Sequence, residues 1–189
     1  MRSMTLGLAL TGILAAAGIA QAQTTIYGIS RDNRLVSFFP ATPGILNTNN
    51  LITGLGAGET VTGIDVRPLT GEIFIFGTSS RMFSVTPGGV ATAVGTGYTA
   101  LTATSSFDFN PTVDRVRVVD VAGGNRRLNP VTGGDIVPVN DTALTYGTGG
   151  VPRAAGVAYT NAQFGANVTM GSIRELFVDS ALDTLGEIG

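Results

Sequence analysis

The sequence predicts an all-β protein, a propeller-like array of four-stranded antiparallel blades. Three observations support this fold class: short runs of β-branched and aromatic residues, turns marked by Gly, Pro, Asn and Thr, and matching segments 43 positions apart. Helical periodicity is nearly absent beyond the first 22 residues. A β-sandwich would show similar strands but not the matching segments, so the repeat favours a propeller-like array, in which neighbouring sheets cover each other's faces.

The clearest unit, called here the template repeat, covers residues 61–94. It alternates short apolar runs with the turns RPLTG, TSS and TPGG. Its predicted strands are residues 61–66, 72–76, 81–85 and 90–94. Four strands joined by short turns in about 35 residues are typical of one propeller blade.

Weaker copies lie on both sides of the template repeat. Residues 107–111 (FDFNP) match 64–68 (IDVRP), and this copy continues through predicted strands at 114–119, 127–128 and 136–139. The earlier copy has predicted strands at 26–29 and 34–38 and a looser one within 45–55, and the last copy has them at 156–160 and 175–179. The array therefore holds about 3.5–4 repeats.

Closed propellers have about four to eight blades. Two full and two partial copies fit either a small or open ring of four units or an incomplete array. We expect residues 23–189 to form a single propeller-like repeat domain that is truncated at its C-terminus.

Residues 1–22 are predicted to be a cleavable signal peptide. Arg2 is followed by an apolar run over residues 6–19 and by Ala20-Gln21-Ala22, a small-x-small cleavage site. The alternative, a membrane anchor, needs a span of about 20 apolar residues, and this run is shorter. We therefore expect a secreted or periplasmic protein, cleaved after Ala22 and not held in a membrane.

The composition excludes several chemistries. The chain has no Cys, His, Trp or Lys. Disulfides, thiolate or Ser-His-Asp catalysis, His-ligated zinc and lysine Schiff bases are therefore excluded. The eleven basic residues, all Arg, are scattered along a chain with a net charge of −2. A nucleic-acid partner is therefore not expected.

Five segments resemble a known family. They are IYGISRDNRLVSFFPATPG, GETVTGIDVRP, FDFNPTVDRVRVV, NRRLNPVTG and GVAYTNA. They resemble a bacterial family of exported domains of unknown function, numbered 4394, over residues 26–178. The resemblance implies a secreted or periplasmic, propeller-like domain and assigns no catalytic residue. Two segments depart from the family pattern: residues 166–174 have fewer Thr and Ala than expected, and LDTLGEIG ends where relatives continue into further strands.

Charged residues recur at equivalent positions of the repeat. Arg34, Arg81 and Arg127 each follow a turn and open a strand, and Asp65 and Asp108 each lie in the first strand of a unit. They could form a ring of ligand-binding groups around a channel. The interpretation we favour is structural, with Asp–Arg pairs that join the first strand to the third within each blade, because buried charges are usually paired.

A second group of polar residues suggests a cation site. Asp108, Asn110 and Asp114 are close in sequence and Asp120 ends the next strand, so their oxygens could bind calcium. Asp and Asn also stabilise turns through their own backbone, which is the interpretation we favour here. No cofactor is expected, with calcium the open alternative. Asp114, Asp120 and the loop at residues 147–150 break the repeat and are therefore the places to examine first.

The function predicted from the sequence is a non-catalytic binding or interaction module with an extracellular or cell-envelope ligand. The alternative is a metal-dependent hydrolase or lactonase-like propeller that uses Asp and Asn as calcium ligands. A third hypothesis is that the truncated chain has no function of its own and aggregates through open strand edges.

Overall fold

The computed structural model describes residues 24–98, 105–136, 141–162, 165 and 171–188. Within this part of the chain every regular element is a β-strand. The strands are β1 (Ile26–Ile29), β2 (Arg34–Phe38), β3 (Leu46–Leu51), β4 (Val61–Val66), β5 (Ile73–Gly77), β6 (Arg81–Val85), β7 (Ala91–Val94), β8 (Ser105–Asn110), β9 (Arg115–Asp120), β10 (Asn125–Leu128), β11 (Ala154–Tyr159), β12 (Glu175–Asp179) and β13 (Thr184–Ile188). In these residues no helix has the length and apolar character needed to cross a membrane.

The strands form four antiparallel sheets, each made of strands consecutive in sequence. The first sheet is β1–β3, the second β4–β7, the third β8–β10 and the fourth β11–β13. Only the second sheet, which coincides with the template repeat, has four strands among the described residues. The all-β class is therefore confirmed, as sheets of three or four strands.

The strand positions follow the sequence pattern closely. Residues 26–29, 34–38, 61–66, 81–85 and 175–179 are strands with the predicted bounds. One strand was missed, β13, because it is mostly exposed and contains Gly186. The expected signal peptide and all but the first residue of the predicted strand at 136–139 lie outside the described residues.

The sheets stack in chain order through their first strands. β4 lies against β1 on one side and β8 on the other, and β8 in turn lies against β11. Because side chains alternate between the two faces of a strand, each inner sheet contacts one neighbour with each face. The second sheet covers the first with Ile73, Ile75 and Phe83 and the third with Phe74 and Phe76.

Aromatic rings fill the interface between the second and third sheets. Phe76 stacks on Phe107 with ring centroids 4.0 Å apart, and Phe74 meets Phe109 edge to face at 5.2 Å. All four rings are buried, and such pairs each contribute about 0.5–1.5 kcal/mol beyond their area burial.

The backbones of the second and third sheets also meet at two glycines. Gly95 follows β7 and Gly133 lies in the turn after β10, with φ of 64° and 71°. A Cβ atom on Gly133 would lie 2.0 Å from the carbonyl oxygen of Val94, and one on Gly95 would lie 1.8 Å from that of Thr132. Both positions therefore require glycine for conformation and for space.

Substitution of Gly133 by alanine is expected to destabilise the protein more than the same change at Gly149. Both residues have positive φ, which costs a non-glycine residue about 1–3 kcal/mol. Only Gly133 adds a collision with a neighbouring backbone, because a Cβ atom on Gly149 meets nothing within 4 Å. Urea denaturation of Gly133→Ala and Gly149→Ala measures the difference, and equal losses of stability would contradict the close packing of the two turns.

Candidate functional site

The third sheet has one apolar and one polar face. Its apolar face carries Phe107, Phe109, Val116, Val118 and Leu128 against the second sheet. Strand register places on the opposite face Ser106, Asp108, Asn110, Arg115, Arg117, Asn125 and Arg127. The fourth sheet therefore packs against a largely polar surface, supplemented by a small apolar cluster of Val119, Leu144, Ala154, Val157 and Phe177.

This polar face departs from the template repeat at a central position. In the second sheet Asp65 is paired with Phe74, and in the third the equivalent Asp108 is paired with Arg117. A guanidinium group thus stands on the middle strand where the template has a phenyl ring. Such a charge needs partners at this depth, because an unpaired buried charge is strongly unfavourable.

Arg117 is the centre of a buried ion cluster. Its Nη1 lies 3.3 Å from Asp141 Oδ1 and its Nε lies 3.0 Å from Glu175 Oε1. Asp141 Oδ1 is shared with Arg127 Nη2 at 2.7 Å. The side chain of Arg117 is 10% exposed and that of Glu175 is 7% exposed, so the cluster is largely screened from water.

Hydrogen bonds extend the cluster. The Tyr159 hydroxyl donates to Glu175 Oε2 at 2.7 Å, and Arg117 Nη1 donates to Asn125 Oδ1 at 2.7 Å. Burial raises the pKa of Glu175 and outweighs the attraction of Arg117. Burial and the nearby Glu175 carboxylate raise the pKa of Tyr159 to about 12, so its hydroxyl keeps its proton at neutral pH.

Two cavities flank the ion cluster. The smaller has a volume of about 150 Å³ and is lined by Asn110, Val113, Arg115, Arg117, Arg127 and Tyr159. The larger, of about 370 Å³, borders Asn125, Tyr146 and Phe177, and Gly147 of the loop that breaks the repeat also contributes to it. The interface between the third and fourth sheets therefore combines buried charge with space for a ligand.

Asp65 and Asp108 join neighbouring sheets. Asp65 Oδ2 accepts a hydrogen bond from Phe109 N–H at 2.8 Å, and Asp108 Oδ2 accepts one from Tyr159 N–H at 2.6 Å. Asp65 Oδ1 also accepts from Val66 N–H. Each aspartate thus binds the first strand of the next sheet, which makes the two residues equivalent ties between sheets.

The two carboxyl groups are also hydrogen-bonded to each other. Burial, followed by the charge of Asp65, raises the pKa of Asp108 to about 8. Burial also raises the pKa of Asp65, although its two backbone donors oppose the shift. Asp65 accepts two backbone N–H groups and Asp108 accepts one, so the proton that the pair holds near neutral pH is favoured on Asp108, which donates it to Asp65.

The prediction that Asp–Arg pairs join the first strand to the third within each blade is wrong for the described residues. Asp65 and Asp108 are directed at backbone N–H groups of the next sheet, and no described ion pair joins either of them to an arginine. Arg34 instead binds Asn49, and Arg127 binds Asp141. Arg81 is exposed at the start of β6.

Two of the four calcium candidates stabilise turns. Asn110 Oδ1 accepts the N–H of Thr112 at 2.9 Å, and Asp120 Oδ1 accepts those of Ala122 at 2.9 Å and Gly124 at 2.6 Å. These are side-chain-to-backbone bonds of the kind that Asn and Asp form in turns.

The other two candidates are engaged elsewhere. Asp114 forms a two-pronged pair with Arg67, which joins the first turn of the second sheet to that of the third. Asp108 faces Asp65 and the fourth sheet. Across the described residues, no group of three or more acidic side chains is arranged to hold a metal ion.

The geometry defines an all-β protein of stacked antiparallel sheets. The interface between its third and fourth sheets holds a buried ion cluster with a cavity on either side. The family described as domain of unknown function (DUF4394) matches residues 34–186. The chain therefore belongs to this family, which confirms the resemblance seen in the sequence. No curated protein matches the chain.

Proposed function

We propose that this protein is an exported, non-catalytic binding module with propeller-like blades, and that its ligand site lies between the third and fourth sheets. The observation that carries the proposal is the buried Arg117 cluster with a cavity on either side. Replacing a buried ion pair by apolar residues is often neutral or stabilising, so such a cluster contributes little to stability. Charged side chains can bind a polar ligand, which apolar side chains in the same positions could not do.

The propeller-like architecture is supported by the contacts between first strands and by the repeated aspartate ties. β4, β8 and β11 follow one another, and Asp65 and Asp108 bond equivalent positions of the next strand. A stack of this kind is rigid, which lowers the entropy cost of binding.

Export is supported by the signal pattern of residues 1–22. An exported protein would meet its ligand in the periplasm or outside the cell. A non-catalytic role is supported by the chemistry of the interface. Its titratable side chains are Arg, Asp, Glu and Tyr. Asp141 and Glu175 are bound to arginine or tyrosine, and Asp108 is bound to Asp65 and to a backbone N–H group. A general base would need a carboxylate free to take a proton from a substrate.

Binding can be tested by thermal melting of the mature protein in the presence of neutral sugars, carboxylates, phosphates and amines. A ligand that binds only the folded state raises Tm in a concentration-dependent manner. We expect at least one of these classes to do so, and the double variant Asn125→Ala/Arg127→Gln to reduce the rise. If no class changes Tm, or the double variant responds like the wild type, the proposed site is wrong.

Calcium and EDTA are expected to leave Tm unchanged. The calcium candidates are dispersed among turn and inter-sheet bonds, so removal of divalent ions should cost no described contact. Thermal melts in excess calcium and in excess EDTA measure this directly. A fall of several degrees in EDTA would favour the metal-dependent hydrolase instead.

A further inference from the structure

The smaller cavity is bordered by three guanidinium groups. Arg115 and Arg117 are two residues apart on β9, and Arg127 is the cross-strand partner of Arg117, so all three project from one face of the third sheet. The cavity is also lined by Tyr159. Its volume of about 150 Å³ is below the roughly 300 Å³ at which pockets for drug-sized ligands begin. It therefore suits a single small group.

Positive charge is in excess around this cavity. The three arginines face two carboxylates, because Asp141 serves both Arg117 and Arg127, and Glu175 serves Arg117. Asp114, next to Arg115 in sequence, is bound to Arg67 of the second sheet.

Arg115 is the arginine of this cavity that has no carboxylate partner among the ion pairs of the described residues. Its Nη1 donates to the backbone carbonyl oxygens of Val113 and Asp114, at 3.4 and 2.9 Å. A guanidinium group has five N–H donors, so most of those on Arg115 remain for another acceptor.

The cavity is accessible from solvent. The side chain of Arg127 is 33% exposed, and Val113, which also lines the cavity, is 42% exposed. A charge that is only partly hydrated interacts more strongly with an opposite charge than one in bulk water does. Guanidinium groups also match the geometry of carboxylate and phosphate oxygens, which they bind with paired N–H donors.

We propose that the cavity between Asn110, Arg115, Arg117, Arg127 and Tyr159 binds a small oxyanion, the carboxylate or phosphate group of an extracellular ligand. This inference rests on the proposed function and names the chemistry that the site selects. Arg115 supplies a positive charge that is not paired with a carboxylate. Arg127 supplies the N–H groups that do not bind Asp141. Arg117 is held by its carboxylate partners and fixes the floor of the cavity.

The test is thermal melting of the mature protein in sodium phosphate, sodium acetate and glucose, each at the same ionic strength set with sodium chloride. At about ten times Kd, phosphate or acetate should raise Tm by about 3–6 °C, and glucose should not. The phosphate and acetate arms distinguish the two sources of the oxyanion. Arg115→Gln should weaken the binding about tenfold or more.

Arg126→Gln is the matched control. Arg126 is the neighbour of Arg127 on β10 but lies on the opposite face of the strand, near Asp135, and does not line the cavity. Its loss removes the same charge and should change the affinity by less than about twofold. Circular dichroism of both variants shows whether they are folded, and Arg115→Lys, which keeps the charge but not the paired donors, should bind with intermediate affinity.

Equal responses of Arg115→Gln and Arg126→Gln would overturn the inference, because the anion effect would then reflect net charge alone. A rise in Tm with glucose and none with either anion would also overturn it, while leaving the binding-module proposal intact. If none of the three probes acts and the wider set of ligands also fails, both proposals fall.

Discussion

Replacement of Arg117 by methionine is expected to lower the free energy of unfolding by about 3–5 kcal/mol. The change keeps most of the side-chain volume but removes the cation shared by Asp141 and Glu175. Glu175 would then be buried with Tyr159 as its remaining partner among the described contacts. The loss of stability is expected because the buried carboxylate of Glu175 would no longer be paired with a cation. Urea denaturation at neutral pH measures this loss.

Two further variants separate charge compensation from simple packing. Arg174→Met removes an exposed pair with Glu187 and should cost less than about 1 kcal/mol. The triple variant Arg117→Met/Glu175→Leu/Tyr159→Phe removes Arg117 together with Glu175 and Tyr159, and leaves Asp141 paired with Arg127. It should recover most of the loss. The interpretation fails if Arg117→Met costs no more than Arg174→Met, or if the triple variant is the least stable of the set.

This comparison bears on function as well as stability. The second and third sheets show that an interface in this array can be packed with aromatic rings, such as Phe74 and Phe109. The charged interface of the third and fourth sheets is therefore not required by the stacking of sheets. Recovery of stability in the triple variant together with loss of anion binding would assign the cluster to recognition.

The fold was largely predictable because strands and turns are local. Alternation of side chains and turn residues fixed the bounds of β4 and β6, and the match between residues 64–68 and 107–111 located the equivalent strand β8. β13 was missed because its burial pattern is weak: Leu185 is 67% exposed, and on the face directed to the core only Ile188 is a large apolar residue.

The site was less predictable because its partners are distant in sequence. Arg117 could have been recognised, since the repeat places it where the template has Phe74, and a charge at a core position needs an explanation. Asp141 lies between predicted strands, and Glu175 opens the predicted strand at residues 175–179. Neither could be linked to Arg117 from the sequence, because they meet it only through the stacking of the third and fourth sheets. The Asp–Arg pairs failed for the same reason: Asp65 binds the next sheet, and no pattern within one blade reveals this.

Replacement of Asp108 by asparagine is expected to stabilise the protein at alkaline pH. In the folded protein the pKa of Asp108 is raised from an ordinary value of 3.8 to about 8, first by burial and then by Asp65. The folded state therefore holds a proton that the unfolded chain releases between about pH 4 and pH 8. Its contribution to stability is fully present below pH 4 and is lost as pH rises to about 8, by at most about 1.4 kcal/mol per pH unit.

Asparagine reproduces the protonated form and cannot ionise. Its carbonyl oxygen can accept from Tyr159 N–H and its amide can donate to Asp65, as the protonated carboxyl does. Asp108→Asn should thus match the wild type below about pH 4 and exceed it increasingly from there up to about pH 8. Urea denaturation at pH 5, 7 and 9 measures the difference between the two proteins, from which the titration of all other groups cancels.

Asp65→Asn is the matched control, because Asp65 is the equivalent tie one sheet earlier. Its two oxygens each accept a backbone N–H, from Val66 and Phe109, and an amide supplies one oxygen only. This variant should be destabilised at every pH by about 1–3 kcal/mol, since one buried donor loses its acceptor. If the two variants behave alike, the proton is not held on Asp108; if Asp108→Asn keeps the pH dependence of the wild type, the carboxyl pair does not share a proton at all. Opposite effects from one chemical change at two equivalent aspartates would follow only from the direction of the hydrogen bond between them.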